Sequence, residues 1–164
     1  MSYSINGINK KLERIKEFIQ KEDFHLKDGD IKTAVIKFME FKEVVGNMGN
    51  DIHYLSLHLA NSFLEEKHGV SVDFSKPPGS AGLDIELEEI VGEIKTTIPH
   101  LSHDFGAAQK REIKKDLERL ELSSEKHKYF FIVDNHTERI LKSKYARDYP
   151  SVKVVNLLKE IGKN

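Results

Sequence analysis

Cysteine is absent from the 164 residues, which excludes a disulfide framework, a thiolate zinc site and a cysteine nucleophile. Long apolar runs are missing as well. The opening stretch MSYSINGINKKLERIKEFIQ is charged throughout and lacks the apolar core of a secretion signal. No later window approaches the roughly eighteen apolar residues of a membrane span. Neither sign of charge dominates: 26 Lys and Arg stand against 27 Asp and Glu. Bulk charge therefore neither demands nor excludes a polyanionic partner, and local distribution has to decide. These absences together lead us to expect a cytoplasmic chain that does not enter a membrane. Its length suits one domain, residues 1–164, able to bury about two thirds of its unfolded surface.

Apolar residues recur at helical spacing in INKKLERIKEFI and in IKTAVIKFMEFKEVV. A third helical pattern runs from Asp51 to His68, with Leu55, Leu59, Phe63 and Leu64 on its apolar side and Gly69 placed to end it. After Gly69 the period changes to two. VSVDF (70–74) reads as a strand and SKPPGSAG (75–82) as a loop. GLDIELEEIVGEIKTT then reads as a hairpin, and TIPHLSHDFG as irregular chain. AAQKREIKKDLERLEL (107–122) is an amphipathic helix with Ala108, Ile113, Leu117 and Leu120 spaced for burial. KYFFIVD (128–134) is a nearly continuous apolar run of the kind covered on both faces. A helix over TERILKSKYARDY and a strand over VKVVNL (152–157) complete the order. The expected fold is α/β: a mixed sheet made of an antiparallel meander plus crossover strands, flanked by helices, with an N-terminal helical part over residues 1–48.

The hairpin carries the chemistry. A two-residue turn at Glu88 and Glu89 pairs Leu87 with Ile90, Ile85 with Gly92 and Asp84 with Glu93. Alternation then gives one face Leu83, Ile85, Leu87, Ile90 and Ile94, and the other Asp84, Glu86, Val91, Glu93 and Lys95. Like charges directly opposite in a sheet destabilise it, and a divalent cation offers the compensation. Mg²⁺ takes one or two carboxylates from a protein and leaves its other positions to water and phosphate oxygens. Lys95, two residues beyond Glu93 on the same face, would stand beside it. The structural alternative is a solvated hairpin face on which Glu-x-Lys falls by chance.

An acid after a Pro/Gly loop, then Glu-x-Lys on the next strand, then a basic helix, resembles the PD-(D/E)XK nuclease superfamily over residues 50–157, and type II restriction endonucleases in particular. The resemblance implies a restriction-endonuclease-like fold and Mg²⁺-dependent hydrolysis of DNA phosphodiesters, with Mn²⁺ as a substitute. Asp84 and Glu93 match the family's metal-holding acids and Lys95 its catalytic lysine, with the Ile94 carbonyl as a further ligand. Gln109 resembles a glutamine that some branches use near the active site, although it also fits an exposed helix residue. Leu83 stands where many members have proline. The helix glutamate of many members has no clear counterpart among Asp51, Glu65 and Glu66.

Lys110, Arg111 and Lys114, with Lys115 and Arg119, form a basic stripe suited to DNA phosphates. The same helix reads equally as a solvated face laced by Glu112, Asp116 and Glu118 at salt-bridge spacing. The implied partners are double-stranded DNA and a second copy of the chain, since two strands need two sites. Residues 1–48 lie outside the resemblance, and TIPHLSHDFG is the expected base-contacting segment. PPGSAG lacks the Gly-Lys-Ser/Thr of a phosphate loop, so no nucleotide cofactor is expected. His100, His103 and Asp104 lack the further ligands of a zinc site. A structure-selective nuclease, such as a junction resolvase or repair nickase, and a non-catalytic DNA-binding module of the same fold are the rival readings.

Overall fold

The computed structural model describes residues 4–21, 31–74, 81–99 and 103–160. The chain forms two compact units, Met1–Asp51 and Ile52–Asn164. The first contains helices α1 (Ile5–Lys21) and α2 (Ile31–Val45), packed on each other with Phe18 and Phe41 6.0 Å apart by ring centroid. Neither helix has a buried residue. Lys11 makes an ion pair with Asp51, so that acid is committed within this unit. Helix α3 (Met48–His68) starts there, and most of its length belongs to the second unit.

The second unit is built on a four-stranded sheet in the order β1 (Ile85–Glu86), β2 (Ile90–Lys95), β3 (His127–Ile132), β4 (Val152–Asn156). The β1/β2 pair is antiparallel, and β2/β3 and β3/β4 are parallel. Parallel neighbours need crossovers, supplied by α4 (Ala107–Leu122) between β2 and β3 and by α5 (Asn135–Lys144) between β3 and β4. A short α6 (Leu157–Glu160) follows β4. The fold is therefore α/β, with a mixed open sheet flanked by helices.

Both faces of the sheet are covered, as the apolar run of β3 requires. Phe130 and Ile132 pack with Val91, Ile113, Leu117, Leu120, Ile140 and Leu141 on the α4/α5 side. Tyr129 and Phe131 pack with Ile85, Ile90, Ile94, Leu57, Ala60, Phe63 and Leu64 on the α3 side. Gly92 faces α3, where a Cβ would stand 3.0 Å from Phe131 Cε2 and 3.4 Å from Ile85 Cβ. Glycine at this position lets Phe131 lie directly on β2.

Several expectations are corrected. VSVDF forms no strand: the Val72 N–H donates to Asn61 Oδ1 at 2.7 Å, and Ser71 Oγ donates to Glu65 Oε1 at 2.7 Å. Side chains of α3 thus hold this segment against the helix it leaves, and the expected meander is reduced to a hairpin. The buried face of α3 is Ser56, Leu57, Ala60, Phe63 and Leu64, while Leu55 is exposed. Ala108 is exposed and Asp116 is buried on α4. Helix α5 stops at Lys144, where the Tyr145 and Ala146 N–H groups both turn back to the Leu141 carbonyl. Leu83 lies on the α4 side with Val91, because it precedes β1 and escapes its alternation. Residues 75–80 of the expected loop fall outside the described residues.

Candidate metal and phosphodiester site

The hairpin has the expected register. Ile85 pairs with Gly92 and Glu86 with Val91, and the Leu87 N–H closes the turn on the Ile90 carbonyl at 2.8 Å. One step beyond β1, Asp84 stands at the level of Glu93. Its Oδ2 accepts the Ile94 N–H at 2.8 Å, which anchors the bend before β1 to β2. Its Oδ1 lies 3.5 Å from His53 Nε2 on α3.

Glu93 is the unusual group. It lies one residue from the buried Ile94 and Gly92, in register with the fully buried Phe130. Its Oε2 is buried with no hydrogen-bond partner among the described residues. Burial raises its pKa first, and the carboxylates of Asp84 and Asp116 raise it further, against the smaller opposing effects of Arg119 and Lys95, to about 7. An unpartnered buried carboxylate oxygen costs on the order of 1–3 kcal/mol.

Lys95 shares the face of Glu93 and makes an ion pair with Asp116, which is 3% exposed on α4. The other oxygen of Asp116 accepts from Arg119 Nη2 at 2.9 Å, and Arg119 Nη1 donates to the Gly82 carbonyl at 2.6 Å. Lys95, Asp116, Arg119 and Gly82 thus form one chain of contacts between β2, α4 and the segment leading into Asp84. Sequence reasoning placed Arg119 in the phosphate stripe and Asp116 on a solvated face, and did not bring His53 to this site. Asp116 had a legible signal, since it lies at i+3 from Ile113 and i−4 from Leu120, inside the buried stripe of its own helix.

The other expected residues fall elsewhere. Gln109 caps α4: its Oε1 accepts the Gly106 N–H at 3.0 Å and its Nε2 donates to the Ile98 carbonyl at 2.8 Å. Lys110 pairs with Asp104 at 2.8 Å, beside Lys144 on the same carboxylate at 3.0 Å. The Lys110 hydrogen bond is the main cause that holds Asp104 well below the usual carboxylate range. Arg111 and Lys114 are exposed on α4, Arg111 lying 3.8 Å from Glu112. Ile94 lies between Glu93 and Lys95 with its side chain in the α3-side core. Glu65 and Glu66 are exposed near the far end of α3, and Glu65 is held low by its hydrogen bond from Ser71. His100 and residues 101–102 of the expected base-contacting segment lie outside the described residues.

Among the described residues, no group of three or more His, Asp or Glu side chains is suited to hold a metal ion. The available donors are two carboxylates, the number Mg²⁺ commonly takes from a protein. A bare Glu93 oxygen, with a second carboxylate near enough to raise its pKa, is donor chemistry of the kind a divalent cation uses. No helix among the described residues is long and apolar enough to cross a membrane. In comparisons with protein-family models, with curated proteins and with solved structures, none matches the chain.

Proposed function

We propose that the chain is a Mg²⁺-dependent endodeoxyribonuclease of the PD-(D/E)XK type, acting as a type II restriction endonuclease on double-stranded DNA. The observation that carries this reading is the hairpin itself. Asp84, just before β1, raises the pKa of Glu93 on β2, Glu93 keeps a buried oxygen with no partner among the described residues, and a lysine follows on the face of Glu93.

Asp84 and Glu93 are the residues that would hold the cation, with the Ile94 carbonyl as a further ligand. When bound, the cation supplies Lewis acidity for attack on phosphorus. Ionised Glu93 is the form that binds it, and the raised pKa means that cation and proton compete for this carboxylate near neutral pH. Lys95 stabilises the negative charge that develops on the phosphate oxygens. Asp116 holds the Lys95 ammonium on the face it shares with Glu93, and Arg119 holds both Asp116 and the Gly82 carbonyl, two residues before Asp84. Arg111 and Lys114 are exposed toward backbone phosphates, Arg111 beside Glu112, whereas Lys110 would first have to leave Asp104. A homodimer would bring a second site to the opposite strand.

Digestion of long, unmodified DNA with and without Mg²⁺ tests the reading. Discrete fragments that require Mg²⁺ are expected. A Mg²⁺-dependent smear, or cleavage confined to branched substrates, would transfer the site to a structure-selective nuclease. Absence of cleavage on linear and branched DNA alike would refute the enzyme and leave a DNA-binding module.

A further inference from the structure

A second group of like charges lies at the other end of the sheet, on the α3 side. His68, the last residue of α3, shares a 2.8 Å hydrogen bond with the hydroxyl of Tyr129, a fully buried side chain of β3. His127, at the start of β3, places its ring centroid 4.6 Å from that of His68, tilted by 41°. Lys67 Nζ lies 5.0 Å from the Phe63 ring centroid and 5.9 Å from that of Tyr129. Lys153 on β4 is the register partner of Tyr129 and shares its face, and Lys126 immediately precedes β3. His68 therefore meets the Tyr129 hydroxyl, with His127 beside it, Lys67 over the Tyr129 ring and Lys153 on the same face of the next strand.

Little opposes this charge. Among the described residues, none of Lys67, His68, His127 and Lys153 is in an ion pair, while Lys126 lies 3.9 Å from Glu89, both exposed. Glu65, one turn earlier on α3, is engaged by Ser71. His68 is held below its ordinary pKa by burial, and then by the charges of His127, Lys67, Lys153 and Lys126. An anion at this point would relieve the repulsion and meet several donors at once. A phosphate suits it best, since it offers up to two charges and several acceptor oxygens to ammonium and imidazole groups supplied by three neighbouring elements.

We propose that Lys67, His68, His127 and Lys153 form a phosphate-binding patch separate from the Asp84/Glu93 site, receiving phosphate from a nucleic-acid backbone or as the free ion. His127 lies three residues before Phe130, which is level with Glu93, so the patch is about 10 Å further along the sheet and on its other face. The patch does not depend on the nuclease reading.

The test uses the full chain with divalent cations removed by chelation. Imidazole carbon-bound proton signals are followed by NMR, with His68→Gln and His127→Gln assigning the two resonances. Inorganic phosphate, a short DNA duplex and chloride at equal ionic strength are titrated in turn. Phosphate, the duplex or both should move the two resonances toward their protonated positions and raise their apparent pKa by about half a unit or more, with chloride inert. The double variant K67A/K153A, altered at exposed positions, should weaken that response about tenfold. A response to the duplex at lower concentration than to phosphate assigns the patch to nucleic acid; a response to inorganic phosphate alone assigns it to the free ion. No movement beyond the chloride control, or wild-type affinity in K67A/K153A, would overturn the proposal. No cleavage is measured, so inactivity toward DNA would leave this result intact.

Discussion

Replacing Glu93 by glutamine should make the protein more stable above neutral pH while abolishing its activity. Burial and the neighbouring Asp84 and Asp116 raise the folded-state pKa of Glu93 from the usual 4.5 to about 7. A rise of that size corresponds to about 3 kcal/mol between the charged and neutral forms, at roughly 1.36 kcal/mol per pH unit. The folded pKa lies above the unfolded one, so folding favours the proton. Stability is fully present below about pH 4.5 and is lost as pH rises through about 7. Integrating between the two states gives a cost of about 1 kcal/mol at about pH 5 and about 3 kcal/mol at about pH 8.5.

Glutamine cannot ionise, and Oε2 has no hydrogen bond to lose. Urea denaturation of wild type and Glu93→Gln should therefore show the variant gaining about 2 kcal/mol on wild type between about pH 5 and about pH 8.5. At about ten times its Kd, Mg²⁺ should restore about 1.4 kcal/mol to the wild type and nothing to the variant. A stability difference that does not change with pH would refute the electrostatic reading. Equal effects of Mg²⁺ on both proteins would refute the cation site.

Asp116→Asn removes the counter-ion of Lys95 and a partner of Arg119, and should cost about 3 kcal/mol in urea denaturation while lowering cleavage by more than the loss of fold explains. Gly92→Ala places a methyl against Phe131 and Ile85 and should cost about 1–3 kcal/mol, read as a lower thermal midpoint. At Glu138, burial favours the proton but hydrogen bonds from Lys142, Lys159 and Asn156 outweigh it, bringing the pKa down to about 2. Its contribution is therefore present above about pH 4.5 and is lost as pH falls toward 2. Glu138→Gln should flatten that acid limb of the stability profile.

The hairpin was legible because its information is local. Alternating apolar residues on either side of Glu88-Glu89 allow few registers, and the one with Ile85 against Gly92 is the one formed. The two-sided burial of β3 was legible for a related reason, since a run such as Tyr129–Ile132 has no polar face to show to water. VSVDF has the same alternation and forms no strand, because Asn61 and Glu65, a helix away, take up Val72 and Ser71. Nothing in residues 70–74 reports that competition. The acids and lysine of the site could be read from spacing, but their state could not. Whether Lys95 meets solvent or Asp116 depends on how α4 lies on the sheet. His53 comes near Asp84 because the buried face of α3 is centred on Ser56, Leu57 and Ala60 rather than on Leu55.

The most direct test of the central claim is DNA cleavage by wild type and Glu93→Gln, compared at equal folded concentration with and without Mg²⁺. We predict that wild type cuts only with Mg²⁺ and that Glu93→Gln, folded and more stable at alkaline pH, does not cut. Cleavage by Glu93→Gln at the wild-type rate, or cleavage by wild type without any divalent cation, would contradict it.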